Sequence, residues 1–128
     1  MHSNLHLLDE GLQAFASRDM SKLREIFHDG VVWHYAGQSC LSGTYLGLPE
    51  VFELFARRAA LSHETYALEV DQAIATDDFV TVLGRTRAER EGEVYEDSIC
   101  YVYRVEHGKV IEAWGIPGHP DRERAFYG

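Results

Sequence analysis

Cysteine is scarce in this sequence: Cys40 and Cys100 are the only two among 128 residues. Two cysteines do not make a disulfide framework, and both read as small packing residues in a reducing, cytoplasmic setting. Basic charge is also in short supply. Twelve Lys and Arg stand against 21 Asp and Glu, for a net charge of −9. Nucleic acid and anionic membrane both need a basic face, so neither is expected as a partner. No apolar run approaches the roughly 18 residues that span a bilayer. The opening MHSNLHLLDE lacks a charged segment followed by an apolar one, so no signal peptide is expected. The histidines at 2, 6, 28, 63, 107 and 119 have no metal-ligand spacing. There is no Gly-rich phosphate loop and no Gly-x-Ser-x-Gly. No metal and no cofactor are therefore expected.

What is present is an ordinary globular composition, 45% hydrophobic and 26% charged, with length enough for one domain over residues 1–128. Leu5, Leu8, Leu12 and Phe15 recur at the spacing of one helix face. Asp19 or Ser21 can cap a second helix over Met20–Phe27. Val31–Tyr35 is β-branched and aromatic and reads as a strand. Pro49 suits the first turn of a helix continuing through Val51–Leu61, with Val51, Phe52, Leu54, Phe55 and Ala59 facing inward. Tyr66–Thr76 alternates as a strand does. The tail from Pro117 is polar and then ends on Ala125-Phe126-Tyr127, an apolar end that should tuck back onto the body.

The centre of the pattern is Tyr95–Val105. Tyr95, Asp97, Ile99, Tyr101, Tyr103 and Val105 share one side of a strand, and Glu96, Ser98, Cys100, Val102 and Arg104 share the other. A two-residue turn at Glu91-Gly92 pairs 88 with 95, 86 with 97 and 82 with 101. A second turn at His107-Gly108 pairs 105 with 110, 101 with 114 and 99 with 116. That register puts Trp114 and Ile116 on the wall with Tyr101 and Ile99, around one carboxylate, Asp97. A slip of one residue would flip every side chain. Helices first and antiparallel strands later define an α+β fold, with three helices in the N-terminal half packed on a curved, mostly antiparallel sheet enclosing a pocket.

Three stretches resemble a known superfamily. Phe27–Gly37 (FHDGVVWHYAG) is similar to the SnoaL-type entry into the first strand. Tyr103–Trp114 (YRVEHGKVIEAW) is similar to the last hairpin, and the ending Ala125-Phe126-Tyr127-Gly128 to the aromatic ending of SnoaL-like proteins. The resemblance is to the NTF2-like superfamily, the α+β cone of ketosteroid isomerases and SnoaL-like polyketide cyclases. It implies a pocket and hosts several chemistries as well as pure binders. His34 matches the position of the ketosteroid isomerase general base, and Tyr101 that of the second oxyanion donor. Gly11 falls near the position of the catalytic tyrosine, which is therefore absent. Limonene-type epoxide hydrolases of this fold need an aspartate where Gly115 stands.

The expected catalytic set is His34 as base or acid, Asp97 as its partner or the second acid, and Tyr101 as oxyanion donor. Trp114, Ile99, Ile116, Phe52, Phe55 and Phe15 are the expected substrate-binding wall. A hydrogen-bonded core histidine, a rim carboxylate and plain wall residues are the blander alternatives. Parity sends Arg85 and Arg87 to the outer face. There Thr81, Leu83, Cys100 and Val102 make an apolar patch suited to a homodimer contact. The implied function is cofactor-independent proton transfer, as in an isomerase, cyclase or dehydratase, on a small apolar carbonyl compound such as a polyketide or steroid-like ligand. The alternative is a non-catalytic small-molecule-binding or assembly module.

Overall fold

A computed structural model describes residues 2–128. In chain order the elements are α1 (Ser3–Ser17), α2 (Met20–Ile26), β1 (Phe27–Tyr35), β2 (Gly43–Leu46), α3 (Leu48–Leu61), β3 (Ala67–Ala75), β4 (Phe79–Arg90), β5 (Glu93–Glu106), β6 (Lys109–Pro117) and α4 (Pro120–Tyr127). The strands form one six-stranded sheet in the order β2-β1-β6-β5-β4-β3, antiparallel except where β1 meets β6. Helices α1, α2 and α3 cover its inner face, as the element order implies.

Local chemistry sets the helix ends. The His2 ring accepts from the Asn4 backbone N–H at 3.0 Å and caps α1. Asn4 then donates through Nδ2 to the carbonyls of Thr76 and Asp77, at 2.8 and 3.1 Å, which ties α1 to the β3–β4 turn. Asp19 caps α2 by accepting from the Lys22 N–H at 3.0 Å. No loop separates α2 from β1, so the first strand begins at Phe27 rather than Val31. The polar tail is a helix, α4, with Pro120 in its first turn. Phe126 and Tyr127 pack on Tyr95, each with ring centroids 5.9 Å away. Arg90 fastens both ends of this region, donating to the Leu61 carbonyl at 2.7 Å and to the carbonyl of Phe126.

The β4–β5 hairpin has the expected register, with Ala88 opposite Tyr95, Thr86 opposite Asp97 and Val82 opposite Tyr101. Its turn residues Glu91 and Gly92 both have positive φ, 52° and 83°, as a two-residue hairpin turn requires. The β5–β6 hairpin starts as expected, with Val105 opposite Val110. A bulge at Arg104–Val105 then shifts the pairing by one, so that Tyr101 faces Gly115 and Ile99 faces Pro117. Trp114 and Ile116 consequently lie on the outer face, which corrects their expected place on the inner wall. The shift relieves a steric conflict. A Cβ on Gly115 would stand 2.7 Å from ring atoms of both Tyr101 and Tyr35, so the position between those rings suits only glycine. On β1, Val31, Trp33 and Tyr35 are buried inward, against Ala113 and Gly115 of β6. Large side chains on one strand thus meet small ones on the next.

Candidate functional site

Between α1, α2, α3 and the inner sheet lies a cavity of about 80 Å³. Leu7, Leu8 and Phe15 line it from α1, Phe55 from α3, and Trp33, Tyr101 and Tyr103 from the sheet. The aromatic walls interlock edge to face, with Phe15–Phe55 and Trp33–Phe55 centroids both 5.3 Å apart.

One cation enters this apolar space. Arg58 of α3 is 3% exposed and lines the cavity. Its guanidinium carbon lies 3.9 Å from the centre of the Tyr66 ring, 5.4 Å from Phe55 and 5.6 Å from Phe15. It donates through Nη1 to the Tyr101 hydroxyl at 3.3 Å, and Tyr101 and Tyr66 hydroxyls are 3.5 Å apart. Among the described residues Arg58 makes no ion pair. An arginine keeps its charge even when buried, and a buried cation left with π-faces and one long hydrogen bond has donors to spare. Burial pushes the phenols of Tyr66 and Tyr103 well above the ordinary range. At neutral pH they are hydrogen-bond donors, not bases.

Arg58 is not among the residues expected at the site from sequence. Its signal is the series Val51, Leu54, Phe55, Arg58, which is one helix face at i, i+3, i+4 and i+7. A charge in that stripe is unusual enough to mark.

Outside the cavity, toward the chain exterior between α1 and α3, is a cleft of about 360 Å³ lined by Arg18, Met20, Phe52 and Glu64. The cleft and the cavity share Phe15, Leu23, Phe55, Arg58 and Tyr66. Arg18 and Glu64 form an ion pair at the cleft wall. Both residues have positive φ, 57° and 66°, where each follows the end of a helix.

The expected catalytic residues do not converge. Tyr101 does line the cavity. His34 faces outward, because Trp33 with its larger apolar area takes the inner position on β1. Its Nε2 lies 2.7 Å from Glu112 Oε2, and its ring stacks on Trp114 with centroids 5.5 Å apart and planes 20° apart. Asp97 faces inward but at the α4 end of the sheet, not at the cavity. It accepts from the Tyr95 hydroxyl at 2.7 Å and the His119 backbone N–H at 3.0 Å, and its Oδ1 is 2.7 Å from His119 Nδ1. The expected His34–Asp97 pair is thus replaced by His119–Asp97. Burial alone would raise the Asp97 pKa, but the hydrogen bonds from Tyr95 and His119 outweigh it and hold the carboxyl below its usual value. Of the expected wall, Phe15 and Phe55 line the cavity, Phe52 lines the outer cleft, and Ile99 is buried elsewhere in the core.

A second buried acid, Glu123 of α4, was not singled out by sequence. It is fully buried, accepts from the Tyr35 hydroxyl and from Ser39 Oγ, the latter at 3.1 Å, and has its pKa raised by burial. These bonds clamp α4 to β1 and the following loop. Among the described residues no group of three or more His, Cys, Asp or Glu is placed to hold a metal ion, and no helix is long and apolar enough to cross a membrane.

A six-stranded mixed sheet covered by helices around an apolar chamber is the architecture of the NTF2-like class of α+β folds. Within that class, residues 8–113 match the model of the SnoaL-like domain, and the chain belongs to that family. Solved structures agree with the fold. Bal32a, from a soil-derived mobile gene cassette, is 27% identical, with 98% of this chain and 96% of that chain covered and a TM-score of 0.92. An NTF2-like protein from Burkholderia pseudomallei is 24% identical over 98% of this chain and 95% of its own, with a TM-score of 0.79. IdmH from Streptomyces antibioticus, described as a candidate polyketide cyclase, is 20% identical over 91% and 93%, with a TM-score of 0.74. The search of curated proteins returns no match.

Proposed function

We propose that the chain binds a small, largely apolar carbonyl compound in the cavity, with its far end in the adjoining cleft, and catalyses proton transfer at the carbon beside the carbonyl. The observation that carries this reading is the hydrogen-bonded pair of donors, Arg58 and Tyr101, in a chamber whose remaining wall is aromatic and aliphatic apart from Asn4. When a proton leaves that carbon, its electron pair moves onto the carbonyl oxygen. A guanidinium and a hydroxyl held in apolar surroundings stabilise the resulting enolate more than they would in water. The cavity wall offers no carboxylate or imidazole among the described residues, so the proton goes to hydroxide entering through the outer cleft or to a basic group on the substrate. Isomerisation, aldol-type cyclisation and dehydration all pass through such an enolate. The cyclase description of IdmH supports the same class of ligand.

A second reading is a binding module without chemistry. It is favoured by the cavity wall, which includes no carboxylate and no imidazole among the described residues. One experiment separates the two. 2-Tetralone is incubated with the protein in D2O, and deuterium uptake beside the carbonyl is followed by NMR. The enzyme reading expects accelerated uptake, falling about 10²-fold in Tyr101→Phe while binding persists, as for loss of an oxyanion donor. Binding without uptake establishes the module, and absence of binding removes both readings.

The outer sheet face supports a further part of the proposal, a homodimer. Ile74, Leu83 and Ile116 are 61%, 43% and 46% exposed, and Cys100, Val102 and Trp114 lie among them. The bulge in the last hairpin adds Trp114 and Ile116 to the patch expected from sequence. Its rim carries both signs of charge, with Arg85 on Asp71, Arg87 on Glu96 and Arg104 near Glu112, so a second copy related by a two-fold axis can meet it without like charges facing.

A further inference from the structure

We propose that Arg58 makes the cavity selective for ligands whose polar end carries a negative charge, a carboxylate or a stabilised enolate on a flat apolar body. The inference rests on the reading of the cavity as the ligand site and adds the charge of its occupant.

Arg58 is the only charged group that lines the cavity, among the described residues. It is buried, yet no carboxylate pairs with it. The field of its charge reaches Glu123, but the acid's two oxygens are taken by Tyr35 and Ser39. Taking an unpaired charge out of water is costly, and the usual resolution is an ion pair. Here the protein supplies only aromatic faces and one phenol. The centre of the Tyr66 ring lies 3.9 Å from the guanidinium carbon, and of the five N–H donors of Arg58 only one at Nη1 has a protein acceptor among the described residues, the Tyr101 hydroxyl, so the others are left for an acceptor. An anionic ligand head supplies the missing counter-charge.

The position of Arg58 also suits this role. It lines both the inner cavity and the outer cleft, so a ligand entering between α1 and α3 meets the guanidinium on the way. The whole chain is strongly acidic, at −9, which disfavours anions at long range. That field is screened over about 8 Å at physiological salt, whereas a contact inside an apolar chamber is not. The selection is therefore a short-range effect of one residue.

The probes are 2-naphthoate and 2-naphthamide, which share size and shape and differ in charge. Their affinities are measured by calorimetry for the wild-type protein, Arg58→Lys and Arg58→Met. The proposal expects the wild type to bind the acid at least about tenfold more tightly than the amide, a difference of about 1.4 kcal/mol. Arg58→Lys keeps part of that preference, and Arg58→Met loses or reverses it. Equal affinity of the wild type for both probes overturns the charge selection and leaves the cavity reading standing. Failure of the wild type to bind either probe overturns both. A preference that persists unchanged in Arg58→Met overturns the assignment to Arg58, and Arg58→Lys carries the same comparison if Arg58→Met does not fold.

Discussion

The guanidinium of Arg58 lies over the ring of Tyr66, 3.9 Å from its centre, and the two side chains come from different parts of the fold. Arg58 projects from α3, and Tyr66 stands just before β3. Their contact joins the helical layer to the sheet edge at the point where the cavity opens to the outer cleft. Removing the tyrosine ring strips the cation of the nearest of its three aromatic faces. Tyr66→Leu is expected to destabilise the fold by about 1–2 kcal/mol through lost cation–π and packing contact. Denaturant unfolding checks this, and a change below the error of the measurement would show that the stack contributes nothing.

Gly115→Ala tests the register of the last hairpin. The added methyl would meet Tyr101 and Tyr35 ring atoms at 2.7 Å, and neither ring can move away without disturbing the core. The expected loss is about 1–3 kcal/mol, typical of an overpacked interior. Under the unshifted register, position 115 would face outward and the substitution would be nearly silent.

Asp97→Asn probes the pair with His119. The folded carboxyl has a lowered pKa, so it binds its proton less readily in the folded than in the unfolded chain. Its contribution to stability is full above the unfolded carboxylate pKa and is lost as pH falls through the folded value. At neutral pH the variant should be less stable by about 1.5–3 kcal/mol, the scale for hydrogen bonds to a charged group. The gap should close in acid, below the ordinary aspartate range. Urea unfolding of both proteins across pH measures it, and a gap that does not vary with pH would contradict the assignment.

His34→Gln should leave ligand affinity in the cavity unchanged, because the imidazole is on the other side of the sheet beside Glu112 and Trp114. Calorimetry with 2-naphthoate is the check. A large loss of binding would mean that the outer face communicates with the cavity.

Leu83→Glu should convert the proposed homodimer to a monomer by placing a charge in the middle of the outer apolar patch. Light scattering at micromolar concentration reads the mass. A wild-type protein that is already a monomer contradicts the dimer.

Much of the fold was legible because it rests on local rules. Helix periodicity marks α1 and α3, and Glu91-Gly92 defines its hairpin because both residues adopt positive φ. The last hairpin was misread beyond its turn. Nothing in the string Arg104-Val105 announces a bulge, and the reason for it, the fit of Gly115 between two tyrosines, involves residues from three strands. One shifted residue moved Trp114 and Ile116 to the outer face. On β1, the contest between Trp33 and His34 for the inner side is settled by packing against Ala113, which no local pattern reveals. Tyr101, Phe15 and Phe55 were legible as cavity residues because they share one parity or one helix face. Arg58 was passed over because a charge in an apolar stripe is ordinarily read as exposed.

The central claim is that a carbonyl oxygen in the cavity accepts hydrogen bonds from Arg58 and Tyr101. The most direct measurement is the carbon-13 resonance of 2-tetralone labelled at its carbonyl, free and bound. Hydrogen bonding from a cation and a phenol polarises the carbonyl and moves its resonance downfield on binding. The account predicts that shift in the wild type, a smaller one in Tyr101→Phe, and the smallest in Arg58→Met. A bound carbonyl whose resonance is the same in all three proteins would contradict it.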